Sequence, residues 1–231
     1  MKISILTLFP NMFEGFLNES IIKRAIEKDK VEIEIINFRD YSKSNNNQVD
    51  DTPYGGGAGM VLMCQPIFDA IEDIKTEDSI VIMMTPDGKT YNQGLAKNLL
   101  KYKHIILLCG HYEGFDERIK SIIDMEISIG DFILTGGEIP SMAITDSIVR
   151  LIDGVINNES LISESFEDDM LDYPVYTKPS NFRGMEVPDV LLSGNHKKIL
   201  EWRQNARIEK TRLKRSDMGD IKNESGICKE Q

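Results

Sequence analysis

Two apolar runs in the middle of the chain, His104–Cys109 and Asp124–Ile129, each give way at once to a loop dense in glycine and polar residues. The first loop reads Gly110-His-Tyr-Glu-Gly-Phe-Asp-Glu-Arg118 and the second Gly130-Asp-Phe-Ile-Leu-Thr-Gly-Gly-Glu138. Short apolar runs bounded by glycine read as buried strands. A loop at the carboxyl end of such a strand is where open α/β sheets place their ligands. Two of them side by side imply a single pocket.

The rest of the pattern supplies a sheet for these loops to sit on. Ile3 to Leu8 reads as a strand, and 11–27 as one helix, with Phe13, Phe16, Leu17, Ile21 and Ala25 at helical spacing. Val31 to Ile35 alternates apolar and acidic residues, a strand with one wet face. The stretch 41–59, rich in Asn, Asp, Ser and Gly, is loop. Cys64 to Ile74 is helical, Ser79 to Met84 a strand, and Asn92 to Tyr102 a helix. Glu138 to Ile152 is a helix with Pro140 tolerated in its first turn and Gly154 just past its end. Alternating strands and helices predict an α/β fold with a mainly parallel sheet covered on both faces. In the tail, Asn195 to about Lys214 is helical, with Ile199, Trp202, Ala206 and Leu213 on one stripe.

At 231 residues and 41% hydrophobic content the chain is long enough for one large or two modest domains. It has no apolar run of membrane-spanning length and no leader-type cleavage site, so a cytoplasmic location is expected. Cys64, Cys109 and Cys228 are far apart and lack metal-type spacing, as do His104, His111 and His196, so neither a disulfide framework nor a metal site is expected.

The net charge of −11 argues against nucleic acid until its distribution is considered. Between Lys197 and Arg215 stand eight basic residues (Lys197, Lys198, Arg203, Arg207, Lys210, Arg212, Lys214, Arg215) and two acids (Glu201, Glu209). That excess is either a phosphate footprint or a solvated helix face. Glu159 to Asp172 holds six acids and no base, which predicts a flexible linker. The expected layout is therefore residues 1–155 as the ligand-binding domain, 156–175 as acidic linker, and 176–231 as a small helical domain.

The glycine strings match neither a dinucleotide fingerprint, which from Gly55 would need glycine at Met60, nor a P-loop, whose Gly-Lys-Ser/Thr occurs nowhere. What glycine offers at Gly110, Gly114, Gly130, Gly136 and Gly137 is close backbone approach to a ligand, or simply a turn.

Together with Tyr54-Gly-Gly-Gly-Ala-Gly-Met60, Tyr176-Thr-Lys-Pro179, Val187-Pro-Asp-Val-Leu-Leu-Ser-Gly-Asn-His196 and Trp202-Arg203, these loops resemble bacterial tRNA (guanine-N1)-methyltransferases of the TrmD type. Those enzymes belong to the SPOUT methyltransferases. The resemblance runs along nearly the whole chain. It implies a SPOUT-type sheet with a trefoil knot, which no periodicity shows and general topology rules disfavour, and a helical tRNA-binding C-terminal domain. It also implies a homodimer, with S-adenosylmethionine as methyl donor, Mg²⁺ involvement, and a tRNA substrate with guanosine at positions 36 and 37, the latter being methylated.

Carried over residue by residue, the resemblance assigns donor binding to Gly110, Ile129, Gly130, Asp131, Phe132, Ile133 and Leu134, with Pro86, Tyr112, Glu113, Gly136, Gly137 and Pro140 beside them. Main-chain groups of the glycines would read an adenine edge and ribose, and the apolar residues would hold the ring. The implied catalytic pair is a linker carboxylate as general base and an arginine after the knot. Here these are Glu164, in Glu164-Ser165-Phe166 where the family has Asp-Ser-Phe, and Arg150. Glu159, Glu167, Asp168 and Asp169 are rival carboxylates. Taken without the resemblance, Arg150 reads as a cation at a helix carboxyl end paired with Asp146, and Glu164 as a solvated acid. The alternative functions are a SPOUT enzyme acting on another RNA nucleoside and a catalytically silent RNA-binding protein.

Overall fold

The computed structural model describes residues 1–157 and 164–218. Two compact units result, Met1–Asn157 and Asn158–Gln231.

The first unit is built on a parallel five-stranded sheet of β1 (Lys2–Thr7), β2 (Glu32–Asn37), β5 (Ser79–Thr90), β6 (His104–Leu108) and β7 (Met125–Ser128), in the order β2-β1-β6-β5-β7. The short strands β3 (Asp50–Asp51) and β4 (Val61–Leu62) form a separate antiparallel pair. The central strand β6 is buried at every position, which is why its sequence is a continuous apolar run rather than an alternating one. Successive side chains still point to opposite faces. Ile105 and Leu107 join Ile3, Ile5 and Ile82 under helices α2 (Ser20–Glu27), α4 (Gln93–Leu99) and α5 (Glu138–Val149). Ile106 and Leu108 join Leu6, Val81 and Met83 under α3 (Cys64–Ile74). Each such side chain removed from water contributes about 1.5–3 kcal/mol. The edge strand β2 alternates exposed and partly buried residues over its first half, as its acidic pattern requires.

The five strands of the main sheet begin near where the sequence places them, but β5 runs on to Thr90 past the expected end at Met84. The short β3 falls inside the stretch read as loop, and two helices depart from expectation. The stretch 11–27 is broken into a 3-10 turn (Pro10–Phe13), α1 (Glu14–Leu17) and α2. Ser20 takes a positive φ of 53°, and Glu19 before it is extended, so the helical phase resets. Ile22 is consequently buried where Ile21 was expected to be. Helix α5 also ends earlier than its apolar pattern, at Val149. In β5, pairing to β7 is interrupted between Met84 and Lys89. Pro86 falls within that interruption, having no N–H to give a ladder.

In the second unit, β8 (Asn181–Phe182) and β9 (Met185–Glu186) form a hairpin, followed by α6 (Asp189–Leu192) and α7 (His196–Lys214). Asn195 caps α7, its side chain accepting from the N–H of Lys198. Of the expected apolar stripe on α7, Ile199, Trp202 and Ala206 are half-buried and Leu213 is exposed, while the fully buried residues are the polar Arg207 and Thr211. This polar face holds the acidic segment. Thr211 Oγ1 accepts the N–H of Leu171 at 2.9 Å, Lys210 Nζ donates to the carbonyl of Asp172 at 2.9 Å, and Arg207 pairs with Asp168. The guanidinium of Arg203 lies over the Tyr173 ring at 4.7 Å.

Candidate functional site

The carboxyl ends of β5, β6 and β7 open into one cavity of about 500 Å³. Its walls come from the interruption in β5, the loop after β6, the loop after β7 and the first turn of α5, so the two glycine loops meet as their sequence positions predict.

Each loop is fixed locally. In the first, the N–H of Gly114 bonds to the carbonyl of His111 at 3.1 Å, and Tyr112 is held at a φ of 58°, a conformation that costs an aromatic residue free energy. Three backbone bonds stitch this loop to residues 60–62: Glu113 N to Met60 O (3.0 Å), Leu62 N to Gly114 O (2.9 Å) and Asp116 N to Leu62 O (2.9 Å). The early glycine string 55–59 thereby ends at the cavity's rim, a neighbour relation invisible in the sequence. The second loop turns on Ser128, whose Oγ accepts the N–H of Gly130 at 3.2 Å.

The loops then cross in direct contact. The N–H of Gly137 donates to the carbonyl of Gly110 at 2.9 Å, and a Cβ on Gly137 would stand 2.7 Å from Cys109 Cα. Glycine is required there by space, not by turn geometry.

Of the residues assigned to donor binding, Pro86, Gly110, Tyr112, Glu113, Ile129, Gly130, Phe132, Ile133, Leu134, Gly136, Gly137 and Pro140 line the cavity. Asp131 does not; it is exposed on the loop. Arg150 is the C-cap of α5 and is not part of the lining, and Glu164 belongs to the second unit. The rival Glu159 lies outside the described residues, as does Cys228. Sequence reasoning missed Asp87, His111, Asp116, Glu117 and Lys120 as lining residues. Most stand inside the quoted loop, so loop membership itself was the available signal.

The lining is rich in acid. Arg118 donates to Asp116 through Nε (2.9 Å) and Nη2 (2.7 Å) and holds its carboxyl well below the usual carboxylate range. Glu117, 3.2 Å from Lys120 Nζ, keeps that ammonium charged by raising its pKa. Burial pushes the Cys109 thiol strongly upward despite its 3.1 Å contact with Ser141 Oγ, and pushes Cys64 up as well. Neither is a thiolate nucleophile. Chemistry at this cavity therefore rests on main-chain groups, apolar walls, carboxylates and the paired Lys120 ammonium. That set suits a small folded ligand with a flat heteroaromatic base and a positive end. Close backbone approach lets main-chain groups face the base, and Ile129, Phe132 and Leu134 give it apolar surface.

Named relatives match this chain along nearly its whole length. The family described as tRNA (Guanine-1)-methyltransferase TrmD matches residues 1–220. A protein named tRNA (guanine-N(1)-)-methyltransferase from Malacoplasma penetrans (strain HF-2) is 60% identical over 218 residues, covering 94% of this chain and 96% of the relative. Proteins of the same name from Mycoplasma capricolum subsp. capricolum and from Caldanaerobacter subterraneus subsp. tengcongensis are each 55% identical, over 222 and 220 residues, covering 96% and 94% of this chain and 92% and 91% of those relatives. With both glycine loops, the cavity they close and the tail helix all inside the matched span, the chain belongs to the tRNA (guanine-1)-methyltransferase TrmD family.

Proposed function

We propose that this protein transfers a methyl group from S-adenosylmethionine to N1 of a guanosine in tRNA, the one at position 37 beside the anticodon and preceded by guanosine 36. The observation that carries this reading is the crossing of two glycine loops over a cavity at the carboxyl ends of β5, β6 and β7, in a chain of this family. The site is taken to work in the cytoplasm, and no helix among the described residues is long and apolar enough to cross a membrane.

The donor supplies an electrophilic methyl on a sulfonium. The chain must do the rest: place that methyl in line with N1, remove the N1 proton and stabilise negative charge developing towards O6. Holding the donor rigidly is the task of Gly110, Gly130, Gly136 and Gly137 with Ile129, Phe132 and Leu134. Glu164 is assigned the proton and Arg150 the charge on O6. A glutamate carries the family's functional group on a stem one methylene longer, so its backbone must stand slightly farther from the guanine. Among the described residues no group of three or more His, Cys, Asp or Glu side chains is placed to hold a metal ion.

Exposed Lys197, Lys198, Arg212 and Lys214 on α7 are assigned to tRNA phosphate, and a homodimer is part of this reading. Exposed Ile133 and Ile139 on the first unit give such a dimer apolar surface to cover.

Methylation of a tRNA transcript tests the proposal. Glu164→Gln should slow the chemical step by about 10²- to 10⁴-fold while donor affinity holds, the range for a lost general base, whereas Glu164→Asp should keep activity. Arg150→Ala should likewise lower kcat more than it weakens binding. Undiminished activity of Glu164→Gln would remove this residue from the mechanism. A methyl mapped to another nucleoside, or no transfer at all by the parent chain, would overturn the proposed reaction.

A further inference from the structure

Behind the glycine loops lies an acid that neither loop geometry nor proton transfer accounts for. Glu138, the first residue of α5, is 3% exposed, a degree of burial that acids reach only with partners. Thr7, at the end of β1 and wholly buried, is one partner. Its Oγ1 accepts the N–H of Phe9 at 2.9 Å and donates its own hydrogen to Glu138 Oε1 at 2.8 Å, so that Oε1 acts as an acceptor.

The second oxygen, Oε2, faces the cavity wall. A Cβ on Gly136 would run into it, and the same Cβ would stand 3.2 Å from both the carbonyl of Gly110 and His111 Nδ1. Gly110, His111, Gly136 and Gly137 all line the cavity. The backbone of Gly136, with the His111 ring beside it, therefore stands between this carboxylate and the cavity. The amino end of α5 favours an anion at this place. Asp87, Glu113 and Glu117 also line the cavity, but they are exposed and their fields are screened by water, and the half-buried Asp116 there has its charge met by the Arg118 guanidinium. Glu138 is the acid there whose charge acts through protein alone.

Resting on the reading of the cavity as a methyl-donor site, we propose that Glu138 is a charge-selecting residue, whose buried carboxylate favours the cationic sulfonium donor over the neutral thioether left after methyl transfer. Donor and product share the adenosine and the amino-acid end and differ by one methyl and one positive charge. Apolar walls and main-chain hydrogen bonds grip the shared parts of both alike. A fixed negative charge behind the glycines separates them, and so promotes exchange of spent product for fresh donor.

Calorimetry on the full chain tests this with three ligands: S-adenosylmethionine, S-adenosylhomocysteine, and sinefungin, whose protonated amine replaces the sulfonium. In Glu138→Gln the two cationic ligands should bind roughly ten- to a hundredfold more weakly, the range for a unit charge about 6–12 Å away at an effective dielectric of about 20, while S-adenosylhomocysteine keeps its affinity and shows that the variant is folded. Glu138→Asp keeps the charge and should keep the preference. If Glu138→Gln does not fold, the parent chain still decides: its preference for sinefungin over S-adenosylhomocysteine should fade as pH rises through the analogue's amine. Equal weakening of all three ligands, or an unchanged ratio, overturns charge selection and leaves Glu138 a brace for the loops. Failure of the parent chain to take up any of the three overturns the donor-site reading itself.

Discussion

Gly137 and His104 show how differently single residues can be read. Gly137 stands where two loops touch, 2.7 Å from Cys109 Cα if it carried a Cβ, and no rotamer relieves a clash between backbones. We expect Gly137→Ala to cost about 1–3 kcal/mol through forced backbone shifts, with donor affinity by calorimetry falling in step. His104 sits at the opposite end of β6, its Nε2 2.9 Å from Ser4 Oγ and its Nδ1 2.9 Å from Ser79 Oγ. Burial, with Lys2 nearby, lowers its pKa from 6.5. The unfolded chain therefore takes up the proton first as pH falls. Stability from the neutral ring is complete above pH 6.5 and declines below it, towards the lower folded-state value. Thermal unfolding between pH 7.5 and pH 5.5 should show that decline, and His104→Gln should flatten it. The glycine was recognisable as special from its place after an apolar run. The histidine was not, because its two serine partners stand far away in sequence and only strand pairing brings them to it.

Among elements, strands were legible and amphipathic helices less so. A strand buried on both faces writes itself as an unbroken apolar run, and β6 does so. The region 11–27 has helical spacing throughout, yet the positive φ at Ser20 divides it, and tertiary packing of Phe13 and Ile22 into one core outweighs continuity. Helix α7 goes further: its covered side carries Arg207 and Thr211 because the opposing segment offers acids and backbone groups rather than apolar surface. Thr211→Val should therefore destabilise this element although valine is more apolar. It leaves the Leu171 N–H without its acceptor, at a cost of about 1–3 kcal/mol. Amide exchange at Leu171 should accelerate in that variant, and unchanged protection would show that the hydroxyl contributes little.

At the scale of the whole molecule, the two hydrophobic cores found among the described residues lie within residues 1–157. A chain truncated after Asn157 should unfold cooperatively and still bind S-adenosylhomocysteine, while methylating no tRNA because Glu164 and the basic face of α7 are gone. Loss of cooperative unfolding in that fragment would show that the first unit depends on the second. The sequence alone determined the alternation of strand and helix, the two glycine loops at strand ends and the concentration of positive charge in the tail, since each is a local pattern of burial, backbone freedom or charge. Only the tertiary structure decided that the 55–59 string reaches the cavity rim, that Asp131 turns away from the cavity, and that Glu138 stands behind its wall. Those relations join residues distant along the chain, and they depend on how a parallel sheet orders its strands, which local propensity does not encode.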